Sequence, residues 1–230
     1  MVLDVEFAAA SDASAAFYIH LHFKTILMTH PKIAQPDHPI MEVLASRWSP
    51  YVFSDRPVPV ADLQAIFEAA RWAASSYNEQ PWRFLVATKT NQTQWEAMLS
   101  CLVDANQAWA KTAPVLAIGC TTLHFALNGK PNAMAAHDLG LASGNLSVQA
   151  TARGLAVHQM AGILPDRIRS QYKLPDGTQA VTALAIGYAA EIDSLSPEAR
   201  RSETTPRTRR PLTEFVFEGR WGQAAKITGP

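Results

Sequence analysis

The stretch AVTALAIGY at residues 180–188 is apolar on both faces of a strand, which limits the chain to folds with a buried central sheet. Two more runs, WRFLVAT at 82–88 and APVLAIGC at 113–120, also read as strands, and LAVHQMAG at 155–162 supplies a fourth. Between them the period turns helical. Residues 59–74 carry Leu63, Ile66, Phe67, Ala70 and Ala74 on one stripe, with Pro59 placed for an opening turn. IMEVLASRW, TQWEAMLSCLV and PDRIRSQYKL read as shorter helices, and a long helix is expected from about Asn132 to Arg153. That helix has Ala136, Gly140 and Gly144 at four-residue steps, which suits either core packing or a close helix pair between subunits. Residues 123–132 read as a loop with the character of a lid. The class is α/β or α+β, and strand–helix alternation by itself points to a parallel sheet.

With 230 residues, 48% of them hydrophobic, the chain can bury a sizeable core. It shows no internal repeat and no linker, so residues 39–230 are expected to form one domain after a poorly ordered leader at 1–38. His20 and His22 lie in that leader and lack a third ligand for a metal. Twenty basic residues against twenty acidic ones argue against a nucleic-acid partner, which needs a basic face. No apolar run reaches the ~18 residues of a membrane span. Cys101 and Cys120 sit in apolar surroundings without CxxC spacing, as in a protein of a reducing compartment such as the cytoplasm.

The motifs for a dinucleotide fold, a P-loop, a nucleophile elbow and a zinc protease are all missing. No metal site is expected, and His137 and His158 read as ordinary partly buried residues. Three segments stand out. AASSYNEQPW at 73–82 packs Ser75, Ser76, Asn78 and Gln80 into six residues, more polarity than a turn requires. RWSPYVF places Arg47 two residues from Ser49, so a guanidinium fork and a hydroxyl can reach one phosphate. TPRTRRPL adds Arg207, Arg209 and Arg210. Together they suit a phosphorylated, planar, polar-edged ligand, and FMN has that description.

From Ile40 to Trp221 the sequence resembles the FMN-dependent nitroreductase family. RWSPYVF is similar to the family's opening RRSxRxF, ASSYNEQPW to its SSxNxQPW turn, and HDLGLASGNLSVQATARGL to its long helix. VHQMAGILPDRIR, PDGTQAVTALAIGYAAE and RTRRPLTEFVFEGRWG follow in the family's order. The resemblance implies an α+β sandwich: a largely antiparallel central sheet surrounded by helices, in a homodimer with FMN at the interface. It implies that Ser75, Ser76 and Asn78 edge the flavin largely from the partner subunit. Arg47, Ser49, Arg207 and Arg209 fall where the family holds phosphate and ribityl oxygens, and Trp48 is expected in the same cofactor-binding segment. Asn106 matches an asparagine on the pyrimidine edge, and Ala161 and Gly162 match backbone near flavin N5 and O4. Two positions depart from the pattern: Trp48 replaces an arginine, and Tyr51 replaces a basic residue that sits near flavin N1 and O2.

The implied activity is ping-pong transfer of hydride from NAD(P)H through flavin N5 to a nitroaromatic, a quinone or a similar small acceptor. No side chain is expected to be catalytic in the strict sense, because the flavin carries the chemistry. The alternatives are a specialised relative, such as a dehydrogenase, a dehalogenase or a flavin-fragmenting enzyme, and a non-catalytic flavin-binding protein.

Overall fold

The computed structural model describes residues 30–229. Most of the expected leader, with His20 and His22, lies outside the described residues. Its last part does not: Ala34 N donates to the Ala45 carbonyl, and the His30 ring stacks on Trp48 with centroids 4.3 Å apart. Residues 30–34 therefore pack on the domain that the sequence suggested would start at 39.

The elements run α1 (Glu42–Ser46), α2 (Val60–Arg71), β1 (Trp82–Thr88), α3 (Gln92–Leu99), α4 (Asp104–Ala110), β2 (Val115–Thr122), α5 (Ala135–Ala152), β3 (Ala156–Met160), α6 (Pro165–Tyr172), β4 (Thr178–Gly187) and α7 (Pro197–Thr204). The four strands form one sheet in the order β1-β2-β4-β3, and every neighbouring pair is antiparallel. The parallel sheet suggested by alternation is thereby corrected, and the α+β sandwich implied by the resemblance holds. Helix connections of this length can return a strand in either direction, so local pattern alone does not fix the sense.

The central strands are buried on both sides. β2 puts Leu116, Ile118 and Cys120 against Trp95 and Met98 of α3 and Ile168 of α6. Its other face, Val115 and Ala117, meets Ile66 and Ala70 of α2 and Leu139, Ala142 and Leu146 of α5. Each large apolar side chain so buried contributes about 1.5–3 kcal/mol. A register shift at Gly119/Cys120 of β2 bends the sheet beneath α5. Both cysteines are free and buried, and burial pushes the Cys120 thiol up to about 11.

Several boundaries and one element differ from expectation. α2 stops at Arg71, leaving Ala74 exposed, because Trp72 already departs from helical geometry (φ −89, ψ 11). The long helix starts at Ala135, after Asn132 caps the turn through Met134 N. α4 was not expected at all. The loop after β2 is tied down: Leu123 N donates to Gly177 O, Phe125 N to Lys130 O and Ala126 N to Glu79 Oε1. Among the described residues no helix is long and apolar enough to cross a membrane.

Candidate functional site

Three guanidiniums meet where α1, the segment after it and the segment after α7 come together. Arg207 spreads its fork over three backbone carbonyls, those of Lys32, Ala45 and Arg47. Arg47 Nη1 lies 3.4 Å from Ser49 Oγ, and Arg209 donates to the carbonyl of Thr208. Among the described residues none of the three forms an ion pair with a carboxylate. Burial, and then the charge of Arg209, holds Arg47 below its ordinary value. Arg207 is lowered by burial, by Arg47 and by Arg209, in that order. Three cations held close together, with N–H groups to spare and no carboxylate partner among the described residues, have the chemistry of a phosphate cradle.

A second group forms along the end of β3 and α4. Asn106 Nδ2 and Val103 N both donate to the Gly162 carbonyl, at 3.0 and 3.1 Å. The backbone at Ala161 and Gly162 is thus pressed against α4, and a Cβ at Gly162 would fall 2.5 Å from Asn106 Nδ2. One turn along α4, Trp109 stacks on His158 of β3 with centroids 4.3 Å apart, and Tyr51 meets both rings edge-on. Tyr51 N also donates to Glu203 Oε1 at 2.7 Å, a carboxylate of α7 that is 5% exposed. Trp48 turns toward the chain's beginning, stacked on His30, and its buried Nε1 has no partner among the described residues.

The third group stands apart. The SSYNEQ turn precedes β1, at the sheet edge opposite β3, about three strand spacings or ~14 Å away. Its backbone is unusual: Tyr77, Asn78 and Gln80 all have positive φ, at 52°, 55° and 52°. Such left-handed residues each cost on the order of 1–3 kcal/mol and persist only where neighbours hold them. Here Ser75 Oγ accepts from Gln80 N, and Ser76 N donates to Asp138 Oδ2 of α5 at 3.0 Å. Part of the polarity that looked excessive in the sequence is therefore spent on the turn itself. Tyr77, at its tip, is 93% exposed. One chain thus unites Arg47, Ser49, Arg207 and Arg209, and separately Tyr51, Asn106, Ala161 and Gly162. Ser75, Ser76 and Asn78 join neither group.

Residues 44–188 match the sequence profile of the nitroreductase family, well over half of the chain. This chain belongs to the nitroreductase family. The relationship carries an oxidoreductase chemistry with it. A crystal structure described as an oxidoreductase containing FMN is 35% identical, superposes with a TM-score of 0.75, and covers 82% of this chain and 96% of its own. A nitroreductase family protein from Clostridium difficile 630 is 26% identical with a TM-score of 0.61, over 80% of this chain and 99% of its own. A protein of Methanothermobacter thermautotrophicus, provisionally named an NADH dehydrogenase/NAD(P)H nitroreductase, is 28% identical over 74% of this chain and 86% of its own length.

Sequence reasoning about this nitroreductase missed Trp109, His158, Glu203 and Asp138. The first three converge from α4, β3 and α7, and no local pattern links them. Asp138 could have been found as an acid in the first turn of the long helix, where it also suits the helix dipole. It is 2% exposed. Asp138→Ala leaves the Ser76 amide without its acceptor, at a cost of about 1–3 kcal/mol. We expect faster amide exchange confined to residues 75–80 and a melting temperature lower by a few degrees. Asp138→Asn, which keeps an acceptor oxygen, should recover most of that loss. Unchanged exchange in the alanine variant would show that the turn holds itself.

Proposed function

We propose that this nitroreductase is a cytoplasmic, homodimeric FMN oxidoreductase that uses NAD(P)H to reduce a small nitroaromatic, quinone or similar acceptor by a ping-pong mechanism. The observation that carries the proposal is the Arg47–Arg207–Arg209 cluster, without a carboxylate partner among the described residues, which has the charge and donors for a terminal phosphate. When bound, FMN supplies the redox chemistry by accepting hydride at N5 and passing it on. Arg47, Ser49, Arg207 and Arg209 would hold the phosphate and ribityl end, with Trp48 walling the same segment. Asn106 would present its amide to the pyrimidine edge, and the close backbone at Ala161 and Gly162 would flank N5 and O4. Tyr51 would lie beside N1 and O2.

Ser75, Ser76 and Asn78 would complete the site from a second copy, since within one chain they stand at the other edge of the sheet. Two features support a dimer. A Cβ on Gly140 or Gly144 of α5 meets nothing within 4 Å, so the small-residue ridge faces outward. Beyond α7, Phe215, Trp221 and Ile227 are 58%, 91% and 80% exposed, an apolar series that invites cover. The NAD(P)H choice rests on the provisional name of the archaeal relative, and the acceptor on family membership.

The test is purification followed by titration with FMN. We expect a yellow protein with one FMN per chain, a mass by light scattering of twice 25.1 kDa, and NAD(P)H oxidation when a quinone is added. Arg209→Ala removes one charge-assisted contact worth about 1.5–3 kcal/mol, so FMN should bind roughly tenfold or more weakly. Absence of flavin fluorescence quenching on titration would defeat the proposal. Binding of FMN without NAD(P)H turnover would favour the non-catalytic reading.

A further inference from the structure

Between Tyr51 and Trp109 sits an imidazole to which the reading above gives no task. His158 lies on β3, and its side chain points away from the face where the neighbouring Gln159 amide reaches Ser147 of α5. Its Nδ1 is 2.9 Å from the Pro50 carbonyl. A carbonyl can only accept, so Nδ1 carries the hydrogen and the neutral ring keeps its lone pair at Nε2. The stack on Trp109, 4.3 Å and 30° between planes, fixes the ring plane. The Tyr51 ring, 4.7 Å away, closes a second side. A ring flip would break the Pro50 bond, so an added proton can enter only at Nε2.

The charged groups around it are few. Glu203, buried behind the Tyr51 amide, favours the protonated ring; Arg47 opposes it. Burial is the largest influence and lowers the imidazole from its ordinary value, offset in part by the Pro50 bond and Glu203. At neutral pH the resting ring is therefore uncharged, its Nε2 has no partner among the described residues, and it packs against Tyr51, which stands where the resemblance implies a cation. A unit negative charge about 6 Å away, at an effective dielectric of about 20, raises proton affinity on the order of a hundredfold. A change of that size opposes the lowering that burial imposes and favours the protonated ring near neutral pH.

We propose that His158 holds the second proton of the two-electron cycle. When a reduced nicotinamide gives up a hydride to the site and leaves oxidised, His158 Nε2 takes one proton from water. When the electrons leave, Nε2 releases that proton, so that a quinone acceptor departs with two electrons and two protons. The charge of the site is then the same before and after reduction. In this chain a mobile proton on His158 does the work that a fixed cation beside the ring would do. The proposal rests on the FMN reading, and its test separates the two.

The FMN-loaded dimer and its His158→Gln variant are titrated anaerobically by potentiometry between pH 6.5 and 8.5. Wild type should change by about 59 mV per pH unit, two protons with two electrons, and the variant by about 30 mV, one proton. Proton uptake, read with an indicator dye as NAD(P)H reduces the wild type, should be one per flavin. A wild-type slope of about 30 mV, or no uptake, overturns the proposal while leaving FMN binding intact. Equal slopes of about 59 mV in both proteins also overturn it, because the proton then sits elsewhere. If His158→Gln does not fold, His158→Phe keeps the stack on Trp109 and is read by the same criterion. Failure of the wild type to bind FMN at all would instead defeat the parent reading.

Discussion

Replacing Arg207 by alanine is expected to lower the melting temperature by roughly 6–12 °C and to weaken FMN binding at least tenfold. The fork of Arg207 is the tie between three separate pieces of chain: Lys32 near the first described residues, Ala45 in α1, and Arg47 at the proposed phosphate site. Hydrogen bonds from a charged group are worth about 1.5–3 kcal/mol each. The three share one side chain and do not add, so we take about 3 kcal/mol in all. At 2–4 °C per kcal/mol for a chain of this size, that gives the stated range. Only three of the five guanidinium N–H groups are used on the backbone, so two remain for an anion. Arg207→Lys separates the roles: it keeps the charge but can satisfy only part of the triad, so affinity should fall less than stability. A melting temperature within about 2 °C of wild type for Arg207→Ala would mean that the carbonyls are satisfied by water and the fork is not structural.

The same residue shows where the sequence is legible. Arg207 stands out as a candidate phosphate ligand from its neighbours Arg209 and Arg210 and from its place in the resemblance. Its structural role does not, because the carbonyls it binds are 160 to 175 residues away in the chain. Strands were found where both faces are apolar, as in β2 and β4, since that pattern needs no knowledge of the partner. α4 was missed because DANQAWA has seven residues, no side-chain cap, and Ala110 as its sole fully buried position. Its tertiary contacts hold it, chiefly Trp109 on His158 and Asn106 on Gly162. The sense of the strands came from resemblance and not from pattern.

The polar SSYNEQ turn shows a subtler limit. Four polar side chains in six residues stand out, but sequence cannot divide them between folding and binding. Ser75 Oγ is taken by Gln80 N within the turn, whereas Ser76 uses its backbone and its hydroxyl has no hydrogen-bond partner among the described residues. Ser75→Ala and Ser76→Ala are therefore not equivalent changes, although the sequence presents them as a pair. Glu203 errs in the other direction. PEARRSET is mostly exposed in the fold, yet this one carboxylate is buried on the Tyr51 amide.

The second large effect expected is at Gly162. An alanine there would put its Cβ 2.5 Å from Asn106 Nδ2 and 2.7 Å from Val103 Cγ2, well inside van der Waals contact. Neither neighbour can move freely. Val103 is the cap residue of α4, and its own amide is bonded to the Gly162 carbonyl. The Asn106 amide donates to that same carbonyl, so the group that must yield is the one proposed to meet the flavin. Overpacking of this kind costs about 1–3 kcal/mol, and valine should cost more than alanine. We expect Gly162→Ala to weaken FMN tenfold or more, with a smaller loss of thermal stability, and Gly162→Val to abolish binding at micromolar concentrations. Asn106→Ala in the Gly162→Ala background removes the nearer clash and keeps the one with Val103. Because the two residues touch, the double variant should be more stable than the sum of the single effects predicts. Strict additivity would mean that Gly162 and Asn106 act independently, and that glycine stands at 162 for a reason other than the close approach of this asparagine.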